Sequence, residues 1–450
     1  MQPKQCIAII DSIKAYAKQN PAEAQVYEDW FQAVVNLRDA LPQDKRFDAY
    51  KYSGELRSVC AAMMGKMKTS EDVSKVYDII GRTYLFEAKD VFDSYCIYLE
   101  WNRAPEKKFY QPRRKVLKTV ANALQDLADD RLDLLAISMP PGCGKTALAI
   151  FYLTWLAGRN PDEPMLTGSH SNSFVRGVYD ECLRIFDKDG EYLWNDVFPD
   201  VTVSNTNAKD CRIDLGKRKR FETLEFTSIG TGNAGLYRAS TLLYCDDLVS
   251  GIEVALSKPR LDKLWETYTT DLRQRKIGNK CKELHIATRW SVHDVIGRLE
   301  QNYGDSDRNR FIVMPAMNEK DESNFDYDYG VGYSTETLRK QREVMDEMSW
   351  KALYMNQPVE REGLLFPADE LRYFNGVLPD GEPDRKLMVM DIAWGGGDFT
   401  ACPIAYVYGD AVFIPDLVFN NGDKTVTRPE VVGKIIQHKI NVVRGEANNG

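Results

Sequence analysis

At 450 residues the chain is too long for one hydrophobic core, and 43% apolar with 28% charged residues is the composition of a folded protein of two or three domains. A formal net charge of −8 excludes a protein coated in nucleic acid, so any contact with a polyanion must be local. The nine cysteines are dispersed without a CxxC pair, which argues against a zinc or disulfide framework and fits reduced, intracellular thiols. No apolar run has the length of a membrane span, and Met1 to Ala15 lacks a signal-peptide core, so a soluble protein without membrane contact is expected.

From Gln5 to about Asn102, apolar residues recur at helical spacing: Ile9, Ile10, Ile13 and Tyr16, then Trp30, Val34, Val35 and Leu37, then Val59, Met63, Met64 and Met67. Pro21 and Pro42 punctuate the pattern, and the methionines read as core filler. Residues 1–102 are therefore expected to be a helical accessory region without a catalytic grouping. Between Trp101 and Lys118 the composition turns basic around Phe109, Tyr110 and Gln111. A solvated helix face explains the lysines. Gln111, some thirty residues ahead of a glycine turn, has an amide able to pair with two edges of adenine, as in helicase-like ATPases.

That turn lies in LDLLAISMPPGCGKTALAI, Leu132 to Ile150: a buried-strand run, a Pro/Gly turn and an apolar helical pattern. Gly142 and Gly144 let backbone N–H groups close around phosphate oxygens, Lys145 can reach β- and γ-phosphates, and the Thr146 hydroxyl can hold Mg²⁺. The helix N-terminus adds partial positive charge. Met139 stands where the usual phosphate-loop pattern has its first glycine, leaving the PPGxGKT variant.

Pro164 to Ser169 reads as a strand leading to His170, which is placed either for a phosphate or DNA contact or as a structural histidine. Phe174 to Phe186 reads as an amphipathic helix. Cys211 to Ser228 has hairpin alternation around Lys217, Lys219, Arg218 and Arg220, a tip suited to DNA and equally explained by solubility. In TLLYCDDL, Thr241 to Leu248, a buried strand delivers two carboxylates about a hundred residues after the phosphate loop. Asp246 is expected to hold Mg²⁺, and Asp247 to polarise the attacking water. Leu284 to Thr288 is the next strand, with Thr288 and Arg289 placed to couple the γ-phosphate to moving parts and Val292 to Leu299 following as a helix. Alternating strands and helices from Leu134 to Pro315 predict a mostly parallel, doubly wound sheet.

The set MPPGCGKT, Gly235 through Arg238 to LLYCDD, ATRW with Asp294, YMNQP with Gly363 to Phe366, and MDIAWGGGDFTA resembles the large terminase subunits of tailed bacteriophages. The resemblance covers most of the chain from Phe109 onward. It implies an ATP-driven motor packaging double-stranded DNA into a procapsid, joined to a nuclease that uses Mg²⁺ or Mn²⁺ to cut concatemeric DNA. It implies a homo-oligomeric ring on the portal protein, a small terminase subunit as partner, and residence in the host bacterial cytoplasm with transient docking at the portal vertex. Many relatives carry Arg-His where this loop has Gly142-Cys143, and an arginine finger is worth roughly 10³–10⁵ in rate. Arg238 is the first candidate to replace it and Arg289 the second, unless a neighbouring subunit supplies one.

The expected architecture is α/β: helical region 1–102, P-loop NTPase motor 103–377, linker 378–386, and the start of an RNase H-like nuclease domain, 387–450. Strands from Leu387 to Asp391, through Tyr408, and from Ala411 to Phe419, a helix from Arg428 to about Lys439, and strand Val442 to Glu446 match that opening. Asp391 and Glu446 would be its metal ligands, with Asp398 either a supporting carboxylate or a turn cap. The family's third acidic residue has no counterpart before Gly450. The chain is therefore expected to be a fragment that hydrolyses ATP without cutting DNA, leaving Leu387 to Val389 and Val442 to Val443 poorly buried. Alternatives are a DNA-translocating ATPase without a nuclease, and a scaffold that binds nucleotide only to assemble.

Overall fold

The computed structural model describes residues 1–230, 237–358, 372–392 and 399–445. The chain divides into two compact units, Met1–Gly363 and Leu364–Gly450.

The first unit opens with helices α1 (Pro3–Gln19), α2 (Ala24–Ala40), α3 (Asp48–Met63), α4 (Ser70–Ala88) and α5 (Phe92–Leu99). Ile10, Tyr27, Trp30, Val34, Leu56, Cys60 and Val76 form the core shared by α1 to α4, with Met63, Met64 and Met67 packed beside it, whereas the buried residues of α5 join the larger cluster of the strands and helices that follow. In α1 the buried stripe runs through Cys6, Ile10 and Ala17, so Ile9 and Tyr16 are 39% and 49% exposed, contrary to their expected core positions. Residues at i, i+4 and i+11 share a face, and the neighbouring positions fall outside it. This region is not a separate body. The Trp155 indole donates to the Ala88 carbonyl at 2.9 Å, and the Tyr95 and Thr154 hydroxyls bond at 2.8 Å.

These contacts clamp α7 (Lys145–Arg159), which is buried on nearly every side because α5 and α6 (Tyr110–Ala128) cover the face that the sheet does not. Eight strands run in the order β3-β4-β5-β2-β6-β7-β1-β8. They are β1 (Leu134–Ser138), β2 (Met165–Ser169), β3 (Val203–Asn207), β4 (Arg212–Leu215), β5 (Leu224–Ser228), β6 (Leu242–Asp246), β7 (Lys282–Ala287) and β8 (Asn309–Val313). From β5 to β8 all neighbours are parallel, while β4 and β3 add an antiparallel edge. The doubly wound sheet is thus present, and the β4–β5 hairpin falls where alternation placed it. Helix α8 (Asn172–Phe186) starts at Ser171, whose hydroxyl accepts the Phe174 N–H. The helix expected from Val292 runs instead over Val295–Tyr303, because the Asp294 carboxylate caps it by accepting the Gly297 N–H at 2.8 Å.

The second unit is a four-stranded sheet, β11-β10-β9-β12, of β9 (Arg385–Met390), β10 (Thr400–Tyr408), β11 (Ala411–Asn420) and β12 (Val442–Gly445), with helix Lys424–His438 before the last strand. Strands β9 to β11 are antiparallel and β12 is parallel to β9, the succession expected for an RNase H-like opening. Residues 378–386 are not a free linker. The Asp384 N–H bonds the Val407 carbonyl at 2.8 Å and the Phe374 ring packs on Phe413, so the unit begins before β9. Val389, Val442 and Val443 are exposed, but Met388 is fully buried and Leu387 partly so, so the expected exposure of the Leu387 to Val389 run holds only at Val389.

Candidate nucleotide site

Strand β1 ends at Ser138 and the chain turns through Pro140 and Pro141 into α7. Gly142 and Gly144 have φ of 72° and 90°, a region that strains other residues. Space is equally restrictive. A Cβ on Gly142 would lie 2.6 Å from the Tyr333 hydroxyl, and one on Gly144 2.6 Å from the Phe109 ring. The loop is therefore gripped between two aromatic side chains, with the N–H groups of the first turn of α7 lacking intrahelical partners.

Parallel strand ends bring the acidic groups to this loop. Asp246 is fully buried at the end of β6; one carboxylate oxygen accepts the Tyr244 hydroxyl, and Oδ1 has no partner. Burial pushes the Asp246 carboxyl well above the usual range and the charge of Asp247 adds to this, while Lys145 and the Thr146 hydroxyl oppose it. An orphaned, buried carboxylate oxygen beside a Thr hydroxyl is the donor set a hard divalent cation takes, so Thr146 and Asp246 fit the expected Mg²⁺.

Asp247 turns away with φ of 42°. Its Oδ1 accepts the Thr288 N–H at 2.8 Å, and its Oδ2 lies 3.2 Å from Lys145 Nζ. Lys145, 8% exposed, also donates to the Thr288 hydroxyl at 2.8 Å. Lys145, Asp247 and Thr288 thus form one closed network. His170 Nδ1 bonds the Asp247 carbonyl at 2.7 Å, which gives the histidine a supporting place behind the carboxylate.

Gln111 is exposed in the first turn of α6, two residues beyond the Phe109 ring that touches the loop. Three other expectations need correction. Arg289 is buried, its Nε donating to Asp294 at 3.0 Å and its backbone N–H to Asn356 Oδ1 at 3.3 Å, so its side chain holds the 289–294 turn and is not free to meet a phosphate. Arg238 precedes β6, and its N–H bonds Glu225 at 3.1 Å near the start of β5. That is the amino edge of the sheet, a strand length of roughly 16 Å from the loop, so Arg238 stands away from its own chain's phosphate loop. Lys219 is no free DNA contact. It pairs with the buried Asp214 at 2.8 Å and donates to the Pro161 and Leu215 carbonyls, whereas Lys217, Arg218 and Arg220 stay exposed.

Sequence reasoning missed Tyr244, Arg113, Tyr333 and Asn356. Tyr244 was legible, since residues two apart on a strand share a face and this one meets Asp246. Asn356 lies in the YMNQP motif, which marks the family resemblance without giving it a role, and Tyr333 comes from a distant segment that no local pattern connects to the loop.

In the second unit Asp391 directly follows β9, exposed, its backbone paired with Ala401. Glu446 and Asp398 lie outside the described residues, as do Gly235 and Gly363 to Phe366. Among the described residues, no group of three His, Cys, Asp or Glu side chains is placed to hold a metal.

Fold and site together define the α/β class of phosphate-loop NTPases, followed by a smaller α/β unit. No family model matches the sequence, and no curated protein matches it. Among solved structures, the chain is similar to the large terminase of a thermophilic bacteriophage in complex with ADP, at 13% identity and TM-score 0.34 over 75% of this chain and 78% of that one. It is also similar to the HK97 bacteriophage large terminase, at 14% identity and TM-score 0.36 over 73% of this chain and 69% of that one. Both are large terminases, the family that the motifs resemble.

Proposed function

We propose that this chain is an ATP-hydrolysing motor of the large terminase type, acting on double-stranded DNA. The observation that carries this reading is the meeting of Lys145, Asp247 and Thr288 beside the buried Asp246 at the mouth of the phosphate loop. Lys145 has to leave Asp247 and Thr288 to reach the β- and γ-phosphates, and its departure frees one Asp247 oxygen to orient the attacking water and accept its proton. Thr288 loses its bond to the lysine in the same exchange, so the end of β7 registers nucleotide. A divalent cation held by Thr146 and Asp246 would neutralise charge on the phosphate oxygens. Gln111 is the residue proposed for adenine, and Lys217, Arg218 and Arg220 for the DNA backbone. With Arg238 remote from its own loop, the transition-state arginine is assigned to a neighbouring subunit of a ring, Arg238 being the candidate to act across that interface.

Asp391 and Glu446 are proposed as ligands of a metal-dependent nuclease, and portal protein and small terminase subunit as partners in the host cytoplasm. ATPase assays with and without linear double-stranded DNA test the motor. Stimulation by DNA is expected, and ATP turnover indifferent to DNA would remove the motor reading. Incubating plasmid with the chain and Mn²⁺ tests the nuclease: ATP hydrolysis without cutting is the expected outcome, and robust cutting that is lost in Asp391→Ala would overturn it.

A further inference from the structure

Arg113 lies four residues after Phe109 on α6, so the two side chains leave the same face of the helix. Phe109 meets Gly144, and the Arg113 Cδ lies 3.6 Å from where a Cβ on Gly144 would be. The guanidinium sits 5.0 Å from the centre of the Phe109 ring and 5.7 Å from that of Tyr327. One of its terminal nitrogens donates to the Phe109 carbonyl at 2.9 Å, while Nε is shielded from water and bonds nothing. Glu100, the acid whose charge it feels, is committed to Arg103 and to the N–H groups of Phe109 and Tyr110. Among the described residues Arg113 has no ion pair.

Arg113 is half-buried with Nε its shielded atom, and a partly shielded cation without a carboxylate carries a cost that an opposite charge would relieve. Burial already lowers its proton affinity, as it must when no carboxylate compensates. The side chain stands directly behind a loop whose N–H groups suit polyphosphate. We propose that Arg113 is a positioning residue for the nucleotide's phosphates: an unpaired guanidinium fixed behind the phosphate loop, compensated when the phosphate chain binds in front of it. The proposal rests on the nucleotide reading of the loop and adds a residue that acts through it.

Calorimetric titration of the full chain with ATP, ADP and inorganic tripolyphosphate, paired with melting of the nucleotide-free protein, tests this. Arg113→Met keeps the length and removes the charge. It should weaken ATP and tripolyphosphate alike by about tenfold and ADP by less, as expected for an interaction that scales with phosphate charge. Its nucleotide-free melting temperature should stay level or rise. Arg113→Lys should keep most of the affinity, and the comparison with wild type stands on this variant if the methionine variant fails to fold. Weakened ATP with unchanged tripolyphosphate would assign Arg113 to the base and overturn the proposal. A fall in melting temperature with unchanged affinities would make it a packing residue and overturn it equally. A wild-type chain that binds neither ATP nor tripolyphosphate removes the nucleotide reading itself, and the proposal with it.

Discussion

Asp246 ends a strand and Asp391 directly follows one, yet their surroundings differ. Asp246 lies between β2 and β7 in an eight-stranded sheet whose two faces are packed by separate apolar clusters, and it has no contact with solvent. Asp391 is exposed just beyond β9, in a four-stranded sheet that leaves Val389, Ile414, Leu417 and Phe419 open to water. Burial gives a carboxylate unusual chemistry by raising the cost of its charge, which a bound cation or a neighbouring lysine can relieve. An exposed carboxylate has no such cost to relieve. The first unit therefore carries an assembled site within its described residues, while among those of the second Asp391 stands exposed without such a setting.

The largest effect separating the two should come from Lys145. Lys145→Ala is expected to abolish ATP hydrolysis, whereas Asp391→Ala should leave it unchanged; steady-state phosphate release measures both. Asp247→Asn should bind nucleotide and lose turnover, because one Asp247 oxygen holds Thr288 and the other faces Lys145. Normal turnover in that variant would end the assignment of Asp247 as the base.

Next in size is the basic hairpin. Removing the amine of Lys219 leaves the buried Asp214 with only the Lys219 N–H and the Thr223 hydroxyl, a loss of about 3 kcal/mol, the low end for a broken buried pair. Chemical denaturation of Lys219→Ala reads it directly. The triple variant Lys217→Ala, Arg218→Ala, Arg220→Ala should leave stability within about 0.5 kcal/mol. If this tip meets DNA, the triple variant should also flatten the salt dependence of binding by roughly three phosphate contacts. An unchanged slope would leave the hairpin with no role in DNA contact.

Asp246 supplies a test of the comparison itself. Its folded-state proton affinity is raised, so its charge costs stability once the pH exceeds the ordinary aspartate range near 4, and the cost is complete above the folded value. Asp246→Asn should accordingly stabilise the nucleotide-free chain by about 2 kcal/mol at pH 8. The gain should vanish toward pH 4, while ATP hydrolysis is lost. Thermal melts across that window decide the matter, and a gain independent of pH would mean that packing is responsible.

What could be read from sequence follows the range of the interactions. The phosphate loop, the acidic strand end and the order of strands are local patterns, each carried by neighbouring residues whose periodicity reflects burial. Lys145, Thr146, Asp246, Asp247 and Thr288 were therefore all legible, and the structure brings them together. The roles of the arginines were not. Arg238 is only eight residues ahead of Asp246, but those residues include β6, which carries it to the far edge of the sheet. Arg289 and Lys219 read as available cations because nothing nearby in sequence shows that Asp294 and Asp214 consume them. The orphaned Nε of Arg113 is visible only once Tyr327, more than two hundred residues away, is packed against it.

The smallest expected effect tests whether the second unit depends on surface charge where the first depends on burial. Asp416 on β11 faces helix Lys424–His438, its carboxylate 2.6 Å from Lys434 Nζ and 2.8 Å from His438 Nε2, with the Tyr406 hydroxyl 2.9 Å from the other ring nitrogen. Lys434 and His438 hold the Asp416 carboxyl down to about 2. A depressed carboxylate contributes stability above its ordinary range near 4 and loses it as the pH falls through the folded value. With the Asp416 side chain 24% exposed, solvent and salt screen the network, so its contribution should be about 1 kcal/mol. Asp416→Asn should speed hydrogen exchange in β11 and the facing helix at pH 7, and the difference from wild type should shrink as the pH falls from about 4 to 2. Added salt should shrink it as well, because the interaction is partly exposed. A difference that persists undiminished at pH 2 and in high salt would show that shape, not charge, joins this helix to the sheet.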